Sequence, residues 1–329
     1  MSPARLVATG GLLVDVIMYV PHLPVRGGDV IASGSVVTTG GGFNVLAAAR
    51  RQGLPVAYLG AHGTGRFGDQ IRADLAAEGI EATRAPSPED DSGFCIGLVD
   101  DGAERTYATR VGVEGRLSAA QVAEVDLAPD DAVHLTGYDL AYPHGPVVGP
   151  WFAGLPARHR TFFDPGPVVT EVDVDLLHAV LARADWVSVN AVEACALTGG
   201  RDAAAAVRAW ADRLPLPRAG VVVRDGAAGC WLLETADPAA AHRVPVPLPP
   251  VVATDSSGAG DCHLGTFAAA LARGEGPADA ARWANAAAAI AVQRVGPATG
   301  PTYAEVEATL AAARRDAADG RFPAPAGCS

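Results

Sequence analysis

The sequence predicts an α/β protein, with a mostly parallel central sheet covered by helices on both faces and a small β-sheet beside it. Three observations lead there. From about residue 131 onward, short apolar runs alternate with helical patterns, the order that builds parallel sheets through crossover helices. Two β-like segments, about residues 11–38 and 93–111, break that alternation and read as a separate lid. The 329 residues are 49% hydrophobic but only 6% aromatic, so small side chains dominate and helices can pack closely on a sheet.

The elements follow in order. RLVATGGLLVDVIMYV reads as a buried strand with a glycine break; it resembles a signal peptide in outline, but Asp15 interrupts the apolar run and no small-residue cleavage pattern follows. DVIASGSVVTT reads as an exposed or half-buried strand, GFNVLAAARRQG as a helix stopped at Gly53, and VAYLGAHG as a short strand. RFGDQIRADLAAEGI is an amphipathic helix, and SGFCIGLVDDGAERTYATR a hairpin around DDG. Then come the strand DAVHLTGY, the Pro-broken helix GPVVGPWFAGLPAR, the strand and turn RTFFDPGP, the helix VDLLHAVLARA, the strand DWVSVN, and the helices AVEACALTGG and DAAAAVRAWADRL. AGVVVRDGAAGCWLLE is a strand pair about a glycine turn, and VPVPLPPVVAT an extended surface crossing. Two alanine-rich helices, GAGDCHLGTFAAALARG and PADAARWANAAAAIAVQRVG, precede a last helix with a disordered end. No repeat or long linker divides the chain, so residues 1–329 are expected to form one domain.

A net charge of −12 gives no general attraction for nucleic acid or anionic membrane, so an anionic ligand needs a local positive site. No segment reaches the roughly 18–20 apolar residues of a bilayer span. Cys95, Cys195, Cys230, Cys262 and Cys328 form no CxxC pair and have small or apolar neighbours, as expected of thiols in the reducing cytoplasm. His134, His144 and His263 show no metal-ligand spacing.

The stretch VVATDSSGAGDCHLGTF carries the chemistry. Gly258, Ala259 and Gly260 stand before a helix with minimal side chains, so their N–H groups are open to an anion. Asp261 falls in the first turn. Alone it reads as a helix cap; beside an anion cradle it is placed to accept a hydroxyl proton while the N–H groups neutralise a phosphoryl group.

DSSGAGD resembles the D-T-x-G-A-G-D signature of the ribokinase-like, or PfkB-type, carbohydrate kinases, with Ser256 for the threonine. The resemblance implies a three-layer α/β/α domain with a β lid, ATP and Mg²⁺ as cofactors, Asp261 as general base and Gly258–Gly260 as anion hole. TGGGFNVLAAARRQG resembles the family's first signature, with Asn44 as the hydroxyl-binding asparagine. Thr39 stands for one glycine of the usual pair, Gly40 keeps the other, and Gly41 replaces the lysine of typical ribokinases. Asp15 matches the aspartate that holds two sugar hydroxyls. VSVNAVE matches the N-x-x-E element, putting Asn190 and Glu193 near the phosphates and the Mg²⁺ hydration shell, although the pair equally reads as a helix cap. VVVRDGAAGCWL matches the nucleotide segment with Gly226 and Gly229, Arg224 replacing a threonine. Asn285 corresponds to the adenine side. A monovalent-cation site, K⁺ in ribokinases, is implied at Asp255, Ser257, Ala291, Arg294 and Gly296, with Gly300 in place of a serine ligand. Asp139, in HLTGYDLAYP, reads either as a sugar contact or as a turn carboxylate.

These residues imply a kinase for the hydroxymethyl group of a free sugar or sugar-like polyol. No basic residue follows Asp164 soon enough to suit a phosphosugar. A nucleoside is the alternative acceptor, with Phe43, Phe94, Tyr19 and Tyr107 available near the lid. A catalytically silent binding protein would have no need of Asp261 and Glu193, and a dinucleotide oxidoreductase would need a G-x-G-x-x-G after the first strand, which is missing. The exposed edge of a lid sheet invites a second copy, so a homodimer through the lid is a further expectation.

Overall fold

The computed structural model describes residues 5–102 and 104–318. The first apolar run divides at its glycines: β1 (Leu6–Ala8) lies in the central sheet, and after Gly10 and Gly11 the chain continues as β2 (Leu12–Tyr19) in a second sheet. There β2 pairs antiparallel with β3 (Gly34–Gly41). The main layer follows with α1 (Gly42–Arg51), β4 (Val56–Tyr58), α2 (Arg66–Ala77) and β5 (Glu81–Ala82), before the hairpin β6 (Phe94–Val99) and β7 (Arg105–Arg110) returns to the small sheet. Alternation then resumes with α3 (Ala119–Ala123), β8 (Ala132–Thr136), α4 (Gly137–Ala141), α5 (Gly145–Ala153), β9 (Thr161–Asp164), α6 (Val174–Arg183), β10 (Trp186–Asn190), α7 (Ala191–Thr198) and α8 (Ala203–Arg213). It closes with β11 (Gly220–Arg224), β12 (Cys230–Glu234), β13 (His242–Val244), α9 (Ala259–Ala272), α10 (Pro277–Ala291) and α11 (Tyr303–Ala318). The disordered end expected of the tail, and Cys328, lie outside the described residues.

The central sheet runs β13-β12-β11-β10-β9-β8-β1-β4-β5 and is parallel except at β12, which is antiparallel to both neighbours. The alternating side chains of its strands feed two cores. Leu6, Ala8, Phe162, Trp186 and Val222 face one side, packed with α1, α9 and α10; Val7, Phe163, Val187, Val221 and Val223 face the other, packed with α5, α6 and α8. The edge of the Trp186 ring meets Phe267 of α9, with centroids 5.0 Å apart. Among the described residues no helix is long and apolar enough to cross a membrane.

The small sheet, order β3-β2-β6-β7, is built from the two segments expected to form it. β2 and β6 lie side by side in parallel, Asp15 opposite Cys95, so the two segments form one surface. Residues 29–33, read as the start of a strand, are irregular, and β3 begins at Gly34.

Two buried carboxylates fasten the base of this sheet. Asp139 accepts from the N–H of Gly11 at 2.8 Å, where β1 gives way to β2. Glu114 accepts from the N–H groups of Gly93 at 2.8 Å and Gly112 at 2.7 Å, one on each side of the β6–β7 hairpin. Burial raises the Glu114 pKa, and the bonds from Gly112 and Gly93 oppose that rise. Replacing Glu114 by Ala strands two buried donors, each costing about 1–3 kcal/mol. We expect Glu114→Ala to lower stability by about 2–5 kcal/mol in urea titration, with Glu114→Gln milder; an unchanged midpoint would contradict this anchoring role.

Candidate active site

Between the lid and the carboxyl ends of the central strands lies a cavity of about 660 Å³, within the usual range for small-molecule sites. Its lid wall carries Asp15, Ile17, Tyr19, Val36 and Tyr107; its floor carries Asn44, Asp164, Glu193, Arg224, Gly260 and Asp261.

Asp261 stands in the first turn of α9, whose N-cap Gly258 is left-handed at φ 67°. A side chain there would also strike the Pro297 carbonyl, because an added Cβ would lie 1.9 Å from its oxygen. The turn therefore requires glycine. The N–H groups of Gly258, Gly260 and Asp261 have no acceptor among the described residues, whereas that of Ala259 turns back to the Ser256 carbonyl at 3.3 Å. Ala259 is thus the member of the expected cradle whose donor is partly engaged.

Asn44, in the first turn of α1, donates from Nδ2 to Asp261 Oδ2 at 3.0 Å. Its Oδ1 is buried without a partner among the described residues, an acceptor left for a ligand. Across the cavity, nothing among the described residues donates to Asp15, and burial lifts its pKa to about 6. Gly40 makes room for this carboxylate: a Cβ there would sit 2.0 Å from Asp15 Oδ2. Gly41 lines the cavity, and Thr39 instead faces away, its hydroxyl donating to Asp74 at 2.6 Å to tie β3 to α2.

Arg224 is the cation of the floor. It donates from Nη1 to Asp164 Oδ2 at 2.9 Å and to Ser188 Oγ at 2.7 Å, and Nη2 lies 3.8 Å from Glu193. Burial works against its charge, but Asp164 and Glu193 hold its pKa above the ordinary arginine value. The guanidinium also lies beside Gly260, 3.1 Å from where a Cβ would be. Asp261 feels the opposite balance. Burial and then Asp164 push its pKa up to about 7, Asn44 and Arg224 pulling back and Asp15 adding a smaller push. Glu193 is likewise raised, by burial and Asp164.

The model of the pfkB family carbohydrate kinases matches residues 3–303. The chain belongs to that family. It is 30% identical over 303 residues to the uncharacterized sugar kinase YegV of Escherichia coli, covering 90% of this chain and 91% of the other. Among solved structures it resembles the ribokinase of Giardia lamblia, with a TM-score of 0.78, 24% identity, and coverage of 93% of this chain and 99% of that one. It also resembles the fructokinase of Vibrio cholerae bound to fructose, ADP and calcium, with a TM-score of 0.77, 22% identity, and coverage of 94% and 100%. The ribokinase fold expected from the sequence, with its separate small sheet, is the fold observed.

Several of the expected site residues do not line this cavity. Asp139 does not line the cavity: its oxygens accept from Gly11 N, Thr136 N and Thr136 Oγ1. Asn285 is buried and spent, donating to the Val244 carbonyl at 2.9 Å and meeting His263 Nε2 at 3.2 Å; it pins α10 to β13 and does not line the cavity. Gly226 and Gly229 shape the β11–β12 turn outside the cavity. Asn190 and Glu193 cap α7 reciprocally, yet Glu193 also lines the cavity, with no partner to its Oε1 among the described residues. Phe43 is buried, and Phe94 packs on Phe67 at 4.9 Å, leaving Tyr19 and Tyr107 as the two of the four whose rings line the cavity. Arg105 and Tyr138, which no motif marks, do line the cavity.

The raised pKa of Asp261 has a stability consequence. In the unfolded chain the group ionises near 4, in the folded one near 7. The cost of holding it ionised is absent below pH 4, grows between pH 4 and 7, and is complete above. We expect Asp261→Asn to raise the melting temperature at pH 8 and to change it little at pH 4; equal effects at both would refute the electrostatic origin.

Proposed function

We propose that this pfkB kinase transfers the γ-phosphoryl group of ATP to the hydroxymethyl group of a free sugar or sugar-like polyol. One observation carries the reading: Asp261, held by Asn44 at the open N-terminus of α9, shares a cavity with the unpartnered carboxylate of Asp15. Asp15 and the free Oδ1 of Asn44 bind and orient acceptor hydroxyls. Asp261 takes the proton of the attacking hydroxyl, for which a pKa near 7 suits it. The N–H groups of Gly258 and Gly260, with the helix dipole and Arg224 beside them, stabilise charge on the transferred group. Arg224 is also the local positive site that an acidic chain needs to hold a polyphosphate. Glu193, with its free Oε1, is suited to the hydration shell of Mg²⁺, which would neutralise the phosphates.

A nucleoside acceptor is the second reading. The rings of Tyr19 and Tyr107, with Ile17 and Val36, make the lid wall apolar enough for a base. The cytoplasm suits the free thiols of Cys95, Cys195, Cys230 and Cys262. The exposed Leu23, Val25, Ile31 and Val37 in the lid region support a homodimer through that sheet.

Coupled ADP release across pentoses, hexoses and nucleosides tests the acceptor; turnover of nucleosides alone would select the second reading. Asp261→Asn is expected to cut kcat about 10²–10⁴-fold with the protein folded, and near-normal turnover would remove Asp261 from its role. With Asp261 required ionised, kcat/KM rises with pH through about 7; a flat profile from pH 5 to 8 contradicts it. Asp15→Ala is expected to raise the acceptor KM about 10–100-fold and the ATP KM little.

A further inference from the structure

Asp255 and the loop of residues 291–300 are where resemblance to ribokinases implies a monovalent cation, and of the oxygens there the Asp255 carboxylate and the Ala291 carbonyl are already in use. Asp255 Oδ1 accepts from Arg105 Nη2 at 2.9 Å and from Ser257 N at 2.8 Å; its Oδ2 accepts from Gly296 N at 3.0 Å. The Ala291 carbonyl accepts from Thr299 Oγ1 at 3.1 Å and Arg294 N at 3.0 Å. Arg294 Nη1 donates to the Thr299 carbonyl at 3.1 Å, and Arg51 Nη1 to the carbonyls of Ala298 and Gly300 at 2.7 and 2.9 Å. Gly300 brings no side-chain oxygen of its own. An alkali cation binds by gathering carbonyl and carboxylate oxygens; here the one carboxylate is already neutralised by the Arg105 guanidinium, which a cation would have to displace. The donor set does not fit K⁺.

One of these arginines belongs to a different body. Arg105 is the first residue of β7 in the lid, whereas Asp255 and Ser256 lead directly into Gly258–Asp261. Its Nη1 also donates to Ser256 Oγ at 3.2 Å. The pair is partly exposed, with side-chain exposures of 29% for Arg105 and 13% for Asp255, so it can open to solvent without stranding a charge in the core.

We infer that Arg105 is a positioning residue that does for the Asp255 loop what a bound alkali cation would do, so that the enzyme works without K⁺ and its anion-binding turn is set only while the lid is down. Arg51 and Arg294 hold the opposite strand of the same loop permanently; Arg105 is the part of the clamp that leaves with the lid.

Two arms test this on the full-length protein. The first needs no turnover and so does not rest on the proposed reaction. Hydrogen exchange of the wild type is expected to be the same in potassium chloride and in choline chloride of equal ionic strength. Arg105→Ala should exchange faster at both 94–110 and 255–261, and at Gly296, whose N–H donates to Asp255. The second arm rests on the kinase reading. Wild-type kcat is expected to be the same in the two salts. Arg105→Ala should lose about 10–100-fold in kcat with little change in the ATP KM, Arg105→Lys should lose less, and added guanidinium at non-denaturing concentration should restore part of the rate. Slower wild-type exchange at 291–300 in potassium, potassium activation of the wild type, or an Arg105→Ala protein with unaltered exchange overturns the inference. Absence of turnover on every acceptor would count against the kinase reading and leave the exchange arm to decide.

Discussion

The site depends on one buried cation. Arg224, at the end of β11, gathers Asp164 from β9, Ser188 from β10 and Glu193 from α7, and lies against Gly260 of α9. Without that guanidinium, Asp15, Asp164, Glu193 and Asp261 would face one cavity with only Arg105, already bound to Asp255, to offset them. The charge is not shared evenly. Asp164 receives a direct charge-assisted bond, whereas Asp261 is left mainly to burial and to a single amide from Asn44. That inequality sets the basicity of Asp261. It also explains how an arginine can stand where relatives are expected to carry a threonine: it neutralises the floor and, in the proposed reaction, would supply positive charge to the phosphates.

The lid is the second half of the same design. It is not an appendage on a linker, because β1 leads into β2 after only Thr9, Gly10 and Gly11. The carboxylates of Asp139 and Glu114 grip its backbone at three points, and Arg105 grips from the far end. The base is held by buried bonds and the tip by a bridge partly open to solvent, an arrangement that favours bending at the base and release at the tip.

Much of this was legible in the sequence, for identifiable reasons. The βα alternation after residue 131 and the small residues before Asp261 each carry a local signal: periodicity in one case, a helix start without side chains in the other. The glycine break after β1 announced an interruption but not that the strand changes sheets, because both halves are equally apolar. Asp139 and Asn285 sit at motif-like positions, and the sequence could not tell a carboxylate or amide facing a ligand from one turned to a backbone neighbour. Arg105 lies in the exposed, charged stretch ERTYATR, and its partner is 150 residues away. No spacing rule reaches that far.

The continuity of β1 with β2 makes the lid a lever with its fulcrum near Gly11. At about 3.3 Å per residue, Asp15 lies roughly 13 Å along the arm and Tyr19 roughly 26 Å. A tilt of about 10° would carry Tyr19 some 4–5 Å, roughly the thickness of a sugar ring, but displace Asp15 by only about 2 Å. The mouth can therefore gape about twice as far as the carboxylate near the pivot moves. Such mechanical advantage separates admission of a ligand from the grip upon it, and it comes from where along the arm each residue stands.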